Sequence, residues 1–232
     1  MPAAFPLMLF AAGFGTRMAP LTDDRPKPLI KVGGRALIDH ALALADESGV
    51  VARKVVNLHY LADQIRAHLS DRPDIALSHE TPDILDTGGG LREAMPLLGA
   101  EHVMALNTDA VWTGPNPLAA LAGAWDADRM DALLLLVPRE RALGHTGKGD
   151  FAIDPEGRLT RSPGHVYTGA QILSTGVLRH VPDRVFSLNR VWDIAQSRGR
   201  LFGIIHEGGW CDVGRPDCIA IAETMLREAA DV

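Results

Sequence analysis

The residues best suited to chemistry crowd the start of the chain. Ala11 to Ile30 reads AAGFGTRMAPLTDDRPKPLI, directly after the apolar run Leu7–Ala12. Glycine lets a backbone turn tightly and approach a ligand closely, so Gly13 and Gly15 suit a turn whose main-chain N–H groups cradle an anion. Arg17 follows two residues after Gly15, and Lys27 sits between Pro26 and Pro28. Residues 17–35 carry five bases against two acids in a chain whose formal net charge is −6. That local excess points to an anionic substrate. Two familiar phosphate loops are excluded. A dinucleotide fingerprint would need glycine where Met18 stands, and no GxxxxGK[ST] string occurs.

Three more segments have the residue types of a site. Leu85–Leu98, LDTGGGLREAMPLL, places Gly88, Gly89 and Gly90 at the mouth of an expected helix, with Asp86 or Thr87 as its cap. Glycines there would leave room for a flat base against backbone. Asn107–Thr108–Asp109 closes an apolar strand, where a carboxylate is placed to hold a cation or to cap a turn. Gly208–Pro216, GGWCDVGRP, holds a second carboxylate, Asp212. Nine histidines are scattered without an HExxH pair, and no GxSxG elbow is present. Trp112, Trp125 and Trp192 are expected in the core, with Trp210, beside Asp212, the exception.

These residues need a scaffold, and the patterning supplies one. Short apolar runs at Leu7–Ala12, Lys54–Leu58, Ile75–His79, Val103–Asn107 and Ala132–Val137 alternate with helix-like stretches at Ala36–Glu47, Ala62–Leu69, Gly90–Leu98 and Leu118–Asp126. Such alternation predicts an α/β, Rossmann-like three-layer sandwich around a mostly parallel sheet. In such sheets ligands bind at the carboxyl ends of strands. After Pro138 the texture changes. Residues 139–175 read as short strands and turns, a small β-rich insertion with a DPEG turn at Asp154–Gly157. A helix near Val191–Ser197, strands near Leu201–His206 and Trp210–Val213, and a helix over Asp217–Ala230 complete the chain. The expectation is one domain over 1–232, with a larger part to about residue 137 and a smaller part beyond.

Composition limits the partners. At 232 residues, 47% hydrophobic and 22% charged, the chain suits one globular domain rather than a disordered or fibrous one. An acidic surface is a poor fit to nucleic acid. No stretch nears the roughly 18 apolar residues of a membrane span, and the N-terminus lacks a charged leader region. Two cysteines, Cys211 and Cys218, cannot build a disulfide framework, so a reducing, cytoplasmic setting is expected.

The string from Ala11 to Ile30 resembles the signature of sugar-1-phosphate nucleotidylyltransferases, an L-A-A-G-x-G-T-R-[LM]-x-P-L-T run followed by P-K-P. The resemblance covers nearly the whole chain and is strongest before residue 137. It implies transfer of a nucleotidyl group from an NTP to a sugar 1-phosphate, with release of pyrophosphate. It implies that Arg17 and Lys27 are catalytic, and that Ala11, Ala12, Gly13, Gly15, Thr16, Thr87, Gly88 and Gly89 hold the nucleotide. It further implies that Asp109 and Asp212 ligate Mg²⁺, the latter because WCDVGRP is similar to a W-x-D-x-G-T-P segment. The sugar falls to Asn107, Asp150, Arg161 and Gly169. Arg161 lies in Thr160–Pro163, where many members have E-K-P, and Gly169 in Tyr167–Ala170, which looks like a sugar-binding T-G segment. Length, the TGGG string and Gly147–Phe151 (GKGDF) resemble a shorter subgroup, the uridylyltransferases acting on N-acetylmuramate 1-phosphate. UTP with that sugar is therefore expected. GTP with mannose 1-phosphate, UTP or dTTP with glucose 1-phosphate, and an inactive nucleotide-sugar sensor remain the alternatives. Oligomeric state is left open.

Overall fold

Alternation inside each apolar run sets the architecture. In the first strand Leu7 and Leu9 enter one core and Met8 enters another on the opposite face. Val56 and Leu58 part from Val55, Met104 and Leu106 from Val103 and Ala105, and Leu133 and Leu135 from Leu134 and Leu136 in the same way. Successive strand side chains point to opposite faces, so an uninterrupted apolar strand must be covered on both sides.

The computed structural model describes residues 4–230. Its main sheet has seven strands: β1 (Phe5–Phe10), β2 (Val51–Leu58), β3 (Ile75–His79), β4 (His102–Asn107), β5 (Ala132–Val137), β6 (Val166–Ser174) and β7 (Leu201–Ile205), in the order β7-β5-β6-β4-β1-β2-β3. Every pairing is parallel except those of β6, which runs antiparallel to both neighbours. Helices α1 (Leu37–Glu47), α2 (Ala62–His68) and α4 (Pro117–Ala124) contribute to one core, with α3 (Asp86–Leu98) and α5 (Asn189–Ser197) on the other face. The three-layer α/β fold is thus present, with a mostly parallel sheet. A third apolar cluster joins Met18, Val111, Val213 and Met225 under α6 (Asp217–Ala230).

Three expectations are corrected. Residues 166–174 form a nine-residue strand near the middle of the main sheet rather than part of an insertion of short strands and turns. Thr168, Gly169 and Gln171 interrupt its apolar pattern, and its register with β5 shifts between Tyr167 and Gln171. Helix α3 begins at Asp86, four residues before Gly90, so the glycines lie inside its first turns. Neither Asp86 nor Thr87 caps it; the N-cap position is Leu85 and no side chain caps the turn.

The β-rich part is small. A hairpin pairs Phe151–Ile153 with Leu159–Arg161, closed at the DPEG turn, where the Gly157 amide donates to the Asp154 carbonyl. A three-stranded sheet places Trp210–Asp212 between Ala110–Trp112 and Ala142–Leu143. Trp112, Trp192 and Trp210 are buried and Trp125 packs partly buried against the core. Among the described residues no helix is long and apolar enough to cross a membrane.

Candidate active site

A cavity of about 320 Å³ opens at the carboxyl ends of β1 and β4. Its lining includes Ala11, Ala12, Gly13, Gly15, Thr16, Arg17, Lys27, Thr87, Asn107 and Asp109. Residues as far apart in the chain as Phe10 and Gly214 therefore meet at one site.

The glycine-rich turn is held from beneath. Gly15 adopts a left-handed conformation with φ 66°, which a side chain rarely tolerates. A Cβ there would also sit 2.9 Å from the Lys27 Cβ. The Thr22 hydroxyl donates to the Gly15 carbonyl at 3.0 Å. Gly13 differs: nothing lies within 4 Å of where its Cβ would be, so it keeps space open beside the cavity. Arg17 follows in a single helical turn, Thr16–Met18, anchored by fully buried Met18.

Lys27 is brought in by its prolines. Pro26 and Pro28 fix their own φ and lock the short turn Lys27–Leu29. The Lys27 stem is buried, and Nζ donates to Asp109 Oδ2 at 2.7 Å. Asp109 follows β4, whose end is tied to β1 by the Thr108 hydroxyl donating to the Phe10 carbonyl at 2.7 Å.

Asp212 arrives by register. It pairs with Ala110 in the small antiparallel sheet, and the Val213 amide donates to the Asp109 carbonyl at 2.8 Å. A Cβ on Gly214, which lines the cavity, would lie 2.8 Å from Asp212 Oδ2 and 3.3 Å from Arg17 Nη1. Asp212 itself does not line the cavity; glycine at 214 keeps the space beside its carboxylate and Arg17 free of a side chain. Burial, and then repulsion from Asp109, raise the Asp212 pKa above its ordinary value, while Lys27, Arg17 and His145 oppose that rise. Among the described residues no group of three or more His, Cys, Asp or Glu gathers to hold a metal. Asp109 and Asp212 offer two hard oxygen donors in mutual repulsion, a set that fits a divalent cation completing its shell with phosphate oxygens and water.

The second wall contains two residues that motif reasoning missed. Asn57 and Glu80 are both buried and both line the cavity. Asn57 Oδ1 accepts from the Ala11 amide at 2.7 Å, and its Nδ2 donates to Glu80 Oε1 at 2.7 Å. Glu80 Oε2 accepts from the Leu85 amide at 2.7 Å. This chain of bonds clamps the glycine-rich turn to the start of α3. The available signal was an amide side chain at the end of an otherwise apolar strand, KVVNL.

The remaining predicted residues fall elsewhere. Gly88 and Gly89 do not line the cavity. Both amides donate to the Phe186 carbonyl, at 2.8 and 3.0 Å. Added Cβ atoms would lie 2.3 Å from the Phe186 ring and 2.5 Å from the Arg184 carbonyl oxygen. Close packing of α3 on the 184–186 segment explains both glycines, and the space faced by Thr87 and Asp86 is what the cavity receives from α3. Gly169, at φ 89°, leaves room for Asn107, whose Cβ would be 2.8 Å from a Cβ there. Asp150 Oδ2 accepts from the Tyr167 amide at 2.9 Å. Arg161 donates to Asp193 Oδ1 at 2.7 Å and Asn189 Oδ1 at 3.0 Å and lies over Phe151 and Trp192, so it fastens the hairpin to α5. Gly169, Asp150 and Arg161 lie outside the cavity lining.

Residues 7–193 match the MobA-like NTP transferase domain. N-acetylmuramate alpha-1-phosphate uridylyltransferase of Caulobacter vibrioides is 40% identical over 235 aligned residues, covering 96% of this chain and 97% of the relative. The enzyme of that name from Neisseria meningitidis serogroup B is 32% identical, covering 89% and 92%. The crystal structure of HddC from Yersinia pseudotuberculosis, complexed with GMP-PN, superposes with a TM-score of 0.78 at 20% identity over 96% of this chain and 99% of that one.

Proposed function

Since the chain belongs to the MobA-like NTP transferase family, a family of nucleotidyltransferases, we propose that it transfers UMP from UTP to N-acetylmuramate 1-phosphate, giving the UDP-sugar and pyrophosphate. The observation that carries the proposal is the convergence of the glycine-rich turn, Arg17, Lys27 and Asp109 on one cavity. The 40% identity to the Caulobacter vibrioides enzyme supports the choice of substrates.

The nucleophile is an oxygen of the sugar phosphate. With a second pKa of about 6 it is already ionised at neutral pH, so the reaction needs no general base. The oxygen attacks the α-phosphorus, a new P–O bond forms, and the bond to the β-phosphate breaks as pyrophosphate leaves. The difficulty is to align two polyanions, which is a task for positioning and fixed charge. Main-chain amides of the Ala12–Thr16 turn hold the triphosphate. Arg17 presents its forked donors to the departing pyrophosphate. Lys27, aimed by its prolines and by Asp109, places a point charge at the reacting phosphates. Asp109 and Asp212 would hold Mg²⁺, which when bound neutralises phosphate charge.

Pyrophosphate release measured across four NTPs and a panel of sugar 1-phosphates tests the proposal. UTP with N-acetylmuramate 1-phosphate is the expected pair. GTP with mannose 1-phosphate as the preferred pair would replace it, and tight nucleotide-sugar binding without turnover would make the chain a sensor.

A further inference from the structure

Beside the active site lies a second hollow, of about 370 Å³, that the proposed reaction does not yet use. Arg139, Glu140, Lys148 and His165 line it together with Pro138, Pro163 and Gly164. Its place in the fold ties it to the first cavity. It sits where β5 ends, at Val137, and β6 begins, at Val166, which are register partners. β6 also pairs with β4, which leads into Asp109. The hollow is therefore on the ligand-binding edge of the sheet, one strand removed from the proposed catalytic residues. The segment that forms its wall starts against Asp212, since a Cβ on Gly144 would lie 2.1 Å from the Asp212 carbonyl oxygen.

The charges in this hollow are unspent. Arg139 uses its Nε on the Gly147 carbonyl at 3.1 Å, and neither Arg139 nor Lys148 forms an ion pair among the described residues. Arg158, Arg161 and Arg200, on neighbouring elements, are all ion-paired. The Nδ1 of His165 is buried without a hydrogen-bond partner. Two basic side chains, Arg139 and Lys148, outnumber the single carboxylate of Glu140. The wall is also fixed rather than loose: the Gly164 amide donates to the Lys148 carbonyl at 3.0 Å, and the Asp150 amide to the His165 carbonyl at 2.8 Å.

We infer that this hollow receives a carboxylate carried on a side arm of the sugar, and that Arg139 and Lys148 select an acidic sugar 1-phosphate over its neutral counterpart. The inference rests on the proposed function. N-acetylmuramate is N-acetylglucosamine with a lactyl ether, and that ether ends in a carboxylate. Only the acidic sugar has a group for these donors.

The test compares kcat/KM, with UTP in excess, for N-acetylmuramate 1-phosphate and N-acetylglucosamine 1-phosphate in the wild-type chain and in Arg139→Ala, Lys148→Ala and Arg139→Lys. Both alanine variants remove exposed side chains, and circular dichroism checks their folding. Each alanine change should lower the acidic-to-neutral ratio by about 10-fold or more, the scale of one charge-assisted hydrogen bond, chiefly through KM for the acidic sugar. Arg139→Lys should recover part of the ratio by restoring charge. An unchanged ratio, in a wild-type chain that does use the acidic sugar, would overturn the inference and leave the proposed function standing. Equal losses for both sugars would overturn it too, by assigning the hollow to their shared phosphate. A wild-type chain that ignores the acidic sugar would remove the proposed function and this inference together.

Discussion

Lys27 Nζ lies 2.7 Å from Asp109 Oδ2, joining a residue of the proline-framed turn to one that follows β4. The two are eighty-two positions apart in the chain. The pair holds the ammonium at the mouth of the glycine-rich turn, and it neutralises part of the repulsion between Asp109 and Asp212. Replacing Lys27 with alanine removes one preorganised charge and leaves Asp109 unpaired. Turnover should fall by about 10²-fold or more with the fold intact by circular dichroism, and Arg17→Ala should do the same. Near-normal turnover in either variant would remove that residue from the chemistry.

The Ala11–Asn57–Glu80–Leu85 chain of hydrogen bonds predicts a different pattern. Asn57→Ala leaves the Ala11 amide and one Glu80 oxygen without partners in a buried setting. The cost should be about 1–3 kcal/mol of stability. Because both walls of the cavity loosen, KM for the nucleotide should also rise. Glu80→Gln keeps the shape and tests the charge. A denaturant titration with parallel KM measurements checks both effects, and an unchanged midpoint for Asn57→Ala would contradict the clamp.

Gly88→Ala separates packing from ligand contact. The added methyl group meets the Phe186 ring and carbonyl. Overpacking of this kind costs about 1–3 kcal/mol. For a chain of this size that lowers Tm by at least about 2 °C. A glycine needed only to admit a nucleobase would show the opposite split, with Tm unchanged and KM for UTP raised. Thermal unfolding with and without UTP distinguishes the two.

The cysteines should be silent. Cys211 adjoins Asp212, but burial pushes its thiol up to about 12, with the neighbouring Cys218 and Asp212 acting the same way. Thiolate is the reactive form, so almost none is present at neutral pH. Both cysteines are buried. A thiol reagent at pH 7 should leave activity unchanged and label both positions only after denaturation. Rapid labelling of the folded chain with loss of turnover would contradict this.

Much of this molecule can be read from its sequence, for identifiable reasons. Strands such as Leu133–Leu136 are apolar at every position, and that pattern fits only a sheet covered on both faces. Gly15, Arg17 and Lys27 lie within one short stretch, so their meeting is local. Asp109 and Asp212 were found through the segments around them, and the antiparallel pairing of Asp212 with Ala110 brings them together. The features that the sequence does not reveal depend on contacts between distant segments. β6 is a central strand because its neighbours make it one, despite Thr168, Gly169 and Gln171. Gly88 and Gly89 are small because Phe186 and Arg184 press against them, a relation nearly one hundred positions long. Asn57 and Glu80 carry no recognisable motif, since their task is to bond each other and two backbone amides. Arg161 matched a sugar-phosphate position by sequence alone, whereas its guanidinium is engaged with Asp193 and Asn189.

Pyrophosphate release with Mg²⁺, UTP and N-acetylmuramate 1-phosphate is the decisive assay for nucleotidyl transfer to an acidic sugar phosphate. Stoichiometric pyrophosphate and UDP-sugar are expected, at a rate well above that with any other NTP. No release with this pair, in a folded chain that turns over another NTP and sugar 1-phosphate, would contradict it.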